Sequence, residues 1–265
     1  MQERRRAGAQ AGRDLAFLRS CILPLPHSPT PAFVPSLLPF LRDTHGVRLA
    51  GRLVPGAVLR GPRRDAEGRP LLYVTLDDGP DADGTPRLLD ALAATGATAL
   101  AFLSAGRAAV LPDLARAWTQ HGHRAGNHGG AHRSAWAMPP GAAVLEMDRA
   151  ERSLTTVLRS GLAQAVPDVR PPYGRVTPGL VRWARAGGRR IVLWDLMPGD
   201  FRAADAPEAL AARIVRHARP GSVLVLHDGA PAARASAALR LALPRLADAG
   251  WRFPALPPAG PPARP

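Results

Sequence analysis

From Leu71 onward, short apolar runs of strand length alternate with longer stretches of helical character, and this alternation constrains the fold more than any other feature. Residues 71–76, 97–103, a short run ending at Arg170, residues 190–195, 222–226 and 251–256 read as strands. Between them, helices are predicted over residues 85–95, 112–121, 140–162, from Thr177 and Pro178 onward, and over 206–218 and 232–249. Repeated strand-helix units call for an α/β fold with a mostly parallel sheet and right-handed crossovers. The chain has 265 residues, 46% of them hydrophobic, which suits one barrel-sized domain with a filled core.

Residues 1–69 have a different texture: rich in Pro and Arg, weakly periodic, and read as an irregular, partly disordered N-terminal extension. The domain is placed at residues 70–256, followed by a Pro-rich tail at 257–265. Arg4, Arg5 and Arg6 precede a short apolar fragment, but Arg19 interrupts it, so no convincing secretory signal is present and the sequence alone suggests a cytoplasmic protein. No stretch approaches the roughly 18 apolar residues of a membrane span. Cys21 is the sole cysteine, which excludes an internal disulfide.

The formal charge is +14, all of the excess arising from arginine because lysine is absent. With heavy use of Ala, Gly and Pro, this is the pattern of a GC-rich coding bias. Outside Arg4 to Arg6 and residues 60–64, dense basic runs with interleaved aromatics are missing, so nucleic acid is not expected as a partner.

Asp77 with Asp78, Arg170, residues 195–200 and His227 with Asp228 fall at or just beyond predicted strand ends, the face on which barrel enzymes build their sites, and four separated motifs carry the chemistry. The first is T-L-D-D-G-P at residues 75–80. Two adjacent carboxylates repel each other unless a cation offsets each of them. The second places His128 and His132 four residues apart, a spacing that lets both imidazoles reach one divalent ion from a helix or helical turn. Asp77 or Asp78 can complete the ligand set, leaving the other free to take a proton from water. The third is Arg170 followed by Pro171 and Pro172, two residues without amide donors, which leaves the Tyr173 amide at a rigid turn as a candidate oxyanion donor. The fourth ends in His227, closing an apolar strand and placed to protonate a leaving group. His27, His45, His121, His123 and His217 lie outside these clusters and read as structural or surface residues.

Over about residues 71–255 these motifs resemble those of the polysaccharide deacetylase family, carbohydrate esterase family 4 with the NodB-homology domain. The resemblance implies a distorted (β/α)7-type barrel and hydrolysis of N-acetyl, or O-acetyl, groups on N-acetylglucosamine-containing glycans. By the same resemblance, one divalent metal ion, zinc before cobalt or nickel, is held by Asp78, His128 and His132, with Asp77 as general base. It further implies Arg170 as the residue orienting that base, Tyr173 as backbone oxyanion donor, His227 as general acid and Leu226 in a pocket for the acetyl methyl. A weaker motif, Trp194 to Phe201, carries Met197 at a usually acidic position; Asp200 is read as the partner of Arg170, with Phe201 and Trp194 against the substrate. Leu76 stands where Phe is common, and Gly129 replaces a hydroxyl residue that would brace the metal loop. Members often act in the periplasm or at the cell surface, so the compartment stays open. A non-catalytic glycan-binding protein on the same fold and a hydrolase of another small amide are the alternative readings.

Overall fold

The structure, a computed structural model, describes residues 54–159 and 166–258. The expectations for the far N-terminus and for most of the Pro-rich tail lie outside the described residues. Six parallel strands form a curled half-barrel sheet: β1 (Leu72–Asp77), β2 (Ala99–Leu103), β3 (Arg124–Asn127), β4 (Asp168–Val169), β5 (Arg190–Ile191) and β6 (Ser222–His227), in the order β5-β4-β3-β2-β1-β6. Helices α1 (Gly84–Thr95), α2 (Ala105–Val110), α3 (Pro112–Gln120), α4 (Ala142–Leu158), α5 (Pro178–Ala186), α6 (Pro207–His217) and α7 (Ala232–Asp248) connect them. The parallel α/β reading of the sequence is therefore correct, with β3 and α2 as added elements.

The two faces of the sheet carry different chemistry because side chains alternate along each strand. Leu72, Val74 and Leu76 of β1 join Leu224 and Leu226 of β6 in a large core shared with Leu88, Leu92, Leu239 and Leu243 of α1 and α7. The opposite, concave face holds Tyr73, Leu100, Phe102, Val192, Trp194, Val223 and Val225. Thr75, Asp77 and His227 continue this inward series, two residues apart along their strands. Register then does the rest, since Asp77 pairs directly with His227 across β1 and β6.

Two expected strands differ from the sequence reading. The run over residues 190–195 keeps strand pairing only as far as Ile191; Val192 still donates to Val169 O (2.9 Å), and the chain then crosses to β6, where Leu196 bridges Leu224. Asp195 drives this change of partner, its carboxylate accepting from the Val223 amide (2.8 Å) and the Ser222 hydroxyl (3.1 Å). Residues 251–256 form no strand; one bridge, Leu71 to Arg252, and donation from the Leu72 and Thr98 amides to Arg252 O (3.0 Å) and Phe253 O (2.8 Å) tie them to the sheet. The sequence reading holds no strand at Arg124–Asn127, where β3 forms; with that strand gained and 251–256 lost, the sheet has six strands, one fewer than the family resemblance implies.

Residues from the expected extension take part in the barrel. Val58 bridges Val192, Arg60 bridges Ser222, and the Arg60 guanidinium pairs with Asp195 at 2.7 Å. This segment spans the gap between β5 and β6, so part of what reads as an irregular lead-in is built into the sheet's open side. Among the described residues, no helix is long and apolar enough to cross a membrane.

Candidate active site

Adjacent residues of a strand point to opposite faces, so Asp77 and Asp78 can share a site only if the chain turns between them. It does. Asp77 ends β1 pointing inward, and Asp78 takes a left-handed conformation (φ 75°) that brings its carboxylate back to the same side. Aspartate tolerates this region better than bulky residues, at a cost on the order of 1 kcal/mol. Asp228, beside His227, steadies the turn: its amide donates to Asp77 O (2.8 Å) and its carboxylate accepts from the Thr85 hydroxyl (2.5 Å). Burial pushes the Asp228 carboxyl up to about 6 against the hydrogen bonds from Thr85 and Gly229.

His128 follows β3 directly, but the expected helical turn carrying it and His132 is an irregular loop. Helical geometry is unavailable because Gly129 and His132 both have positive φ, 82° and 51°. Asn127 holds this loop. Its side-chain oxygen accepts from the Gly129 amide (2.8 Å), and its side-chain amide donates to Met147 O of α4 (2.8 Å). The Ala105 amide of α2 and the Glu146 carboxylate of α4 bind the loop further along. The brace expected from a hydroxyl at position 129 is thus supplied by Asn127, and a glycine suits the positive φ there. Gly126 serves packing rather than a tight turn, since a Cβ on it would meet the Phe102 ring at 2.6 Å.

The loop returns His132 beside His128, and one ligand atom from each, with one from Asp78, lie within 4.8 Å of one another. Asp78 Oδ1 is 3.0 Å from His132 Nε2 and 3.3 Å from His128 Nε2. His128 Nδ1 lies 2.6 Å from Arg170 O, a carbonyl that can only accept, so Nδ1 carries a proton and Nε2 is the nitrogen left to offer a lone pair to a cation. A lone pair facing a buried carboxylate oxygen that itself accepts no hydrogen bond is the arrangement a cation resolves. In the absence of a cation, burial opposes ionisation of Asp78, but protons on the two imidazoles outweigh it and hold the carboxyl well below the usual carboxylate range. Contact with Asp78 raises the His132 pKa against the opposing effect of burial. The site is able to hold a metal ion.

Arg170, at the end of β4, is fully buried. It donates to Asp77 Oδ1 (2.6 Å), Thr75 Oγ1 (2.8 Å), Val192 O (3.0 Å) and Leu193 O (3.0 Å), and stacks 4.1 Å over the Phe102 ring. Burial pushes its pKa down, opposed by Asp77, and the guanidinium stays charged. Thr75, whose part the sequence reading leaves unassigned, accepts from Arg170 and donates to Leu224 O (2.7 Å), using both capacities of a hydroxyl. Asp77 Oδ2 faces His128 Nε2 at 3.9 Å, so one carboxylate oxygen is tied to Arg170 and the other is turned toward the metal ligands.

Three expectations need correction. Asp200 is not the partner of Arg170: it accepts from the His227 backbone amide (2.7 Å) and sits 2.9 Å from His227 Nδ1, because its loop follows the crossing that pairs Leu196 with β6. Leu226 cannot line a substrate pocket, since its side chain is buried in the helix-facing core; strand parity puts Val225 and His227 inward instead. Trp194 is inward but 4% exposed, packed 5.4 Å from the Arg170 guanidinium, so it supports the arginine and does not present a surface to substrate. Arg234 of α7 donates twice to Asp200 O (3.0 and 2.9 Å), and nothing in so arginine-rich a sequence singles it out.

Phe201 is 44% exposed and stands edge-on to the His227 ring, with the ring centres 5.6 Å apart. Burial disfavours the His227 imidazolium, yet Asp200, with Asp77 and Asp78 farther off, raises its pKa to about 9. Tyr173 lies in a 3-10 turn with φ 60°, its exposed ring 4.7 Å from that of His132. The hydrogen bonds closing that turn come from the Gly174 and Arg175 amides, not from Tyr173.

An inward carboxylate paired to a buried arginine, beside an Asp-His-His cluster at the C-terminal edge of a parallel half-barrel, marks the class of metal-dependent hydrolases. The polysaccharide deacetylase family model matches residues 64–192. The chain is 30% identical over 202 residues to a peptidoglycan-N-acetylglucosamine deacetylase of Bacillus cereus, covering 74% of this chain and 69% of the relative. It is 30% identical over 179 residues to a chitooligosaccharide deacetylase of a Bradyrhizobium species, covering 67% and 80%. A crystal structure of a peptidoglycan N-acetylglucosamine deacetylase superposes with a TM-score of 0.70 at 26% identity, covering 76% of this chain and 91% of that one. The chain belongs to the polysaccharide deacetylase family.

Proposed function

We propose that this protein is a metal-dependent deacetylase that hydrolyses N-acetyl groups on N-acetylglucosamine-containing glycans and releases acetate. The observation that carries this reading is the split of one aspartate pair into two environments. Asp78 lies between two histidine nitrogens, whereas Asp77 is held by Arg170 with its second oxygen turned to the same space.

Asp78, His128 and His132 would hold the ion, and a set of two imidazoles and one carboxylate suits zinc. When bound, the ion supplies polarisation of the acetyl carbonyl and acidification of water. Asp77 accepts the proton of the attacking water on Oδ2, while Arg170 on Oδ1 keeps the carboxylate oriented. The Tyr173 amide stabilises the developing oxyanion. His227, its Nδ1 engaged by Asp200, protonates the departing amine from Nε2. Phe201 walls the His227 side.

The test is acetate release from a panel of N-acetylated and O-acetylated glycans, with and without chelator. Release from N-acetylglucosamine oligomers that stops with chelator supports the reading; release unaffected by chelator, or full activity in His128→Ala, refutes it. O-acetyl esters use the same groups, and their arm of the panel sets the preference.

A further inference from the structure

Beside the Asp-His-His cluster the surface opens into a cleft of about 550 Å³, within the roughly 300–1,000 Å³ typical of small-ligand sites. His132 belongs to the cluster and also lines the cleft, with the Tyr173 ring of the lining centred 4.7 Å from its own, so a molecule with one group at the cluster extends naturally into the cleft. The charged groups of its lining are Arg133 and Arg175, with His132 at the shared edge, and no carboxylate side chain is among the residues that line it. Arg133 is partly neutralised by Glu146 at 3.0 Å. Arg175 forms no ion pair with a carboxylate among the described residues; its guanidinium stacks 4.2 Å over the Trp136 ring, which is fixed by donation from Nε1 to Val176 O (3.0 Å). A cation is thus held in place at the cleft without a counter-charge.

We propose that this cleft binds a carboxylate-bearing sugar next to the acetylated one, and that Arg175 recognises the carboxylate. The inference rests on the glycan deacetylase reading of the adjoining site. A planar guanidinium matches a carboxylate with paired, charge-assisted hydrogen bonds, which a neutral sugar cannot offer. Stacking on Trp136 lowers the entropy lost when Arg175 engages it. The exposed Tyr173 ring at the boundary offers an apolar face to the sugar ring between the two groups.

The experiment measures calorimetric binding and acetate release for wild type, Arg175→Gln and Arg175→Lys. Its ligands are a neutral N-acetylglucosamine oligomer, an oligomer of equal length whose alternate sugars carry a lactyl-ether carboxylate, the same oligomer with those carboxylates amidated, and one alternating with uronic acid. Wild type is expected to bind the carboxylated oligomer about fivefold more tightly than its amidated form, the scale of an exposed charge pair. Arg175→Gln should abolish that preference, Arg175→Lys retain part of it, and added salt reduce it. The uronic acid arm shows whether the position of the carboxylate matters. Equal binding of carboxylated and amidated forms by wild type, or an undiminished preference in Arg175→Gln, overturns the inference. Acetate release from the neutral oligomer without any such preference would leave the deacetylase reading standing and the cleft assignment refuted; binding without release from any oligomer would refute the former instead.

Discussion

Asp77 and Asp78 are chemically identical side chains, and only their surroundings separate them. Asp77→Asn retains an oxygen to accept from Arg170, so it is expected to keep the fold and the metal while losing about 10²–10⁴-fold in turnover. Metal analysis and acetate release on one preparation check this, and metal loss in that variant with retention in Asp78→Asn would reverse the two roles. His227→Ala should impair N-acetyl hydrolysis far more than hydrolysis of an activated aryl acetate, whose leaving group needs little protonation. Equal losses on both would remove the acid role. The pH profile follows from Asp200. A His227 pKa of about 9 keeps the acid protonated below that value, so activity falls as pH rises through it. Asp200→Asn should move this basic limb to lower pH, measured as kcat/KM against pH. The linkage to stability has the same sign: a folded pKa above the unfolded value gives stability that is complete below about 6.5 and lost as pH rises through about 9.

Among the elements, the loop after β3 governs the metal ligands. Its histidine spacing suggests a helix, yet two positive-φ positions and the Asn127 bracket produce a return loop that serves the same end. Asn127→Ala is expected to weaken metal affinity about 10–100-fold, the usual effect of losing a group that orients metal ligands. Competition with a chelator of known affinity measures it, and an unchanged affinity would mean that α2 and α4 suffice to hold the loop. Strand parity is the other lesson at this scale. His227 inward entails Leu226 outward, a deduction available from the alternation of β6 alone.

For the molecule as a whole, the concave face is held together by buried charge. Arg170 joins β1, β4 and the chain after β5 through four hydrogen bonds, so Arg170→Met leaves Asp77 buried and unpaired, at a cost of about 3–5 kcal/mol. The segment around Val58 and Arg60 acts similarly on the open side of the sheet. A chain beginning at residue 64, where the family model starts to match, should melt at a lower temperature than one beginning at residue 54. Thermal unfolding of the two decides this, and coincident transitions would show that the segment adds no stability.

The strand-helix alternation and the five motif positions were legible because they depend on local order: apolar periodicity, turn residues and the placement of polar groups at strand ends. The pairing of His128 with His132 was legible from their spacing, whereas the choice of Asp78 over Asp77 came only with the family resemblance, and β3, the strand that delivers His128, left no clear signal in the sequence. The partner of Asp200, the burial of Trp194, the bracket from Asn127, the clamp from Arg234 and the use of residues 54–63 across the sheet's open side were decided only by tertiary structure. Each depends on which groups meet over separations such as the 27 residues between Asp200 and His227 or the 135 between Arg60 and Asp195. A single sequence with 35 arginines and 21 acidic residues allows many such pairings, and only the path of the chain after Ile191 selects among them.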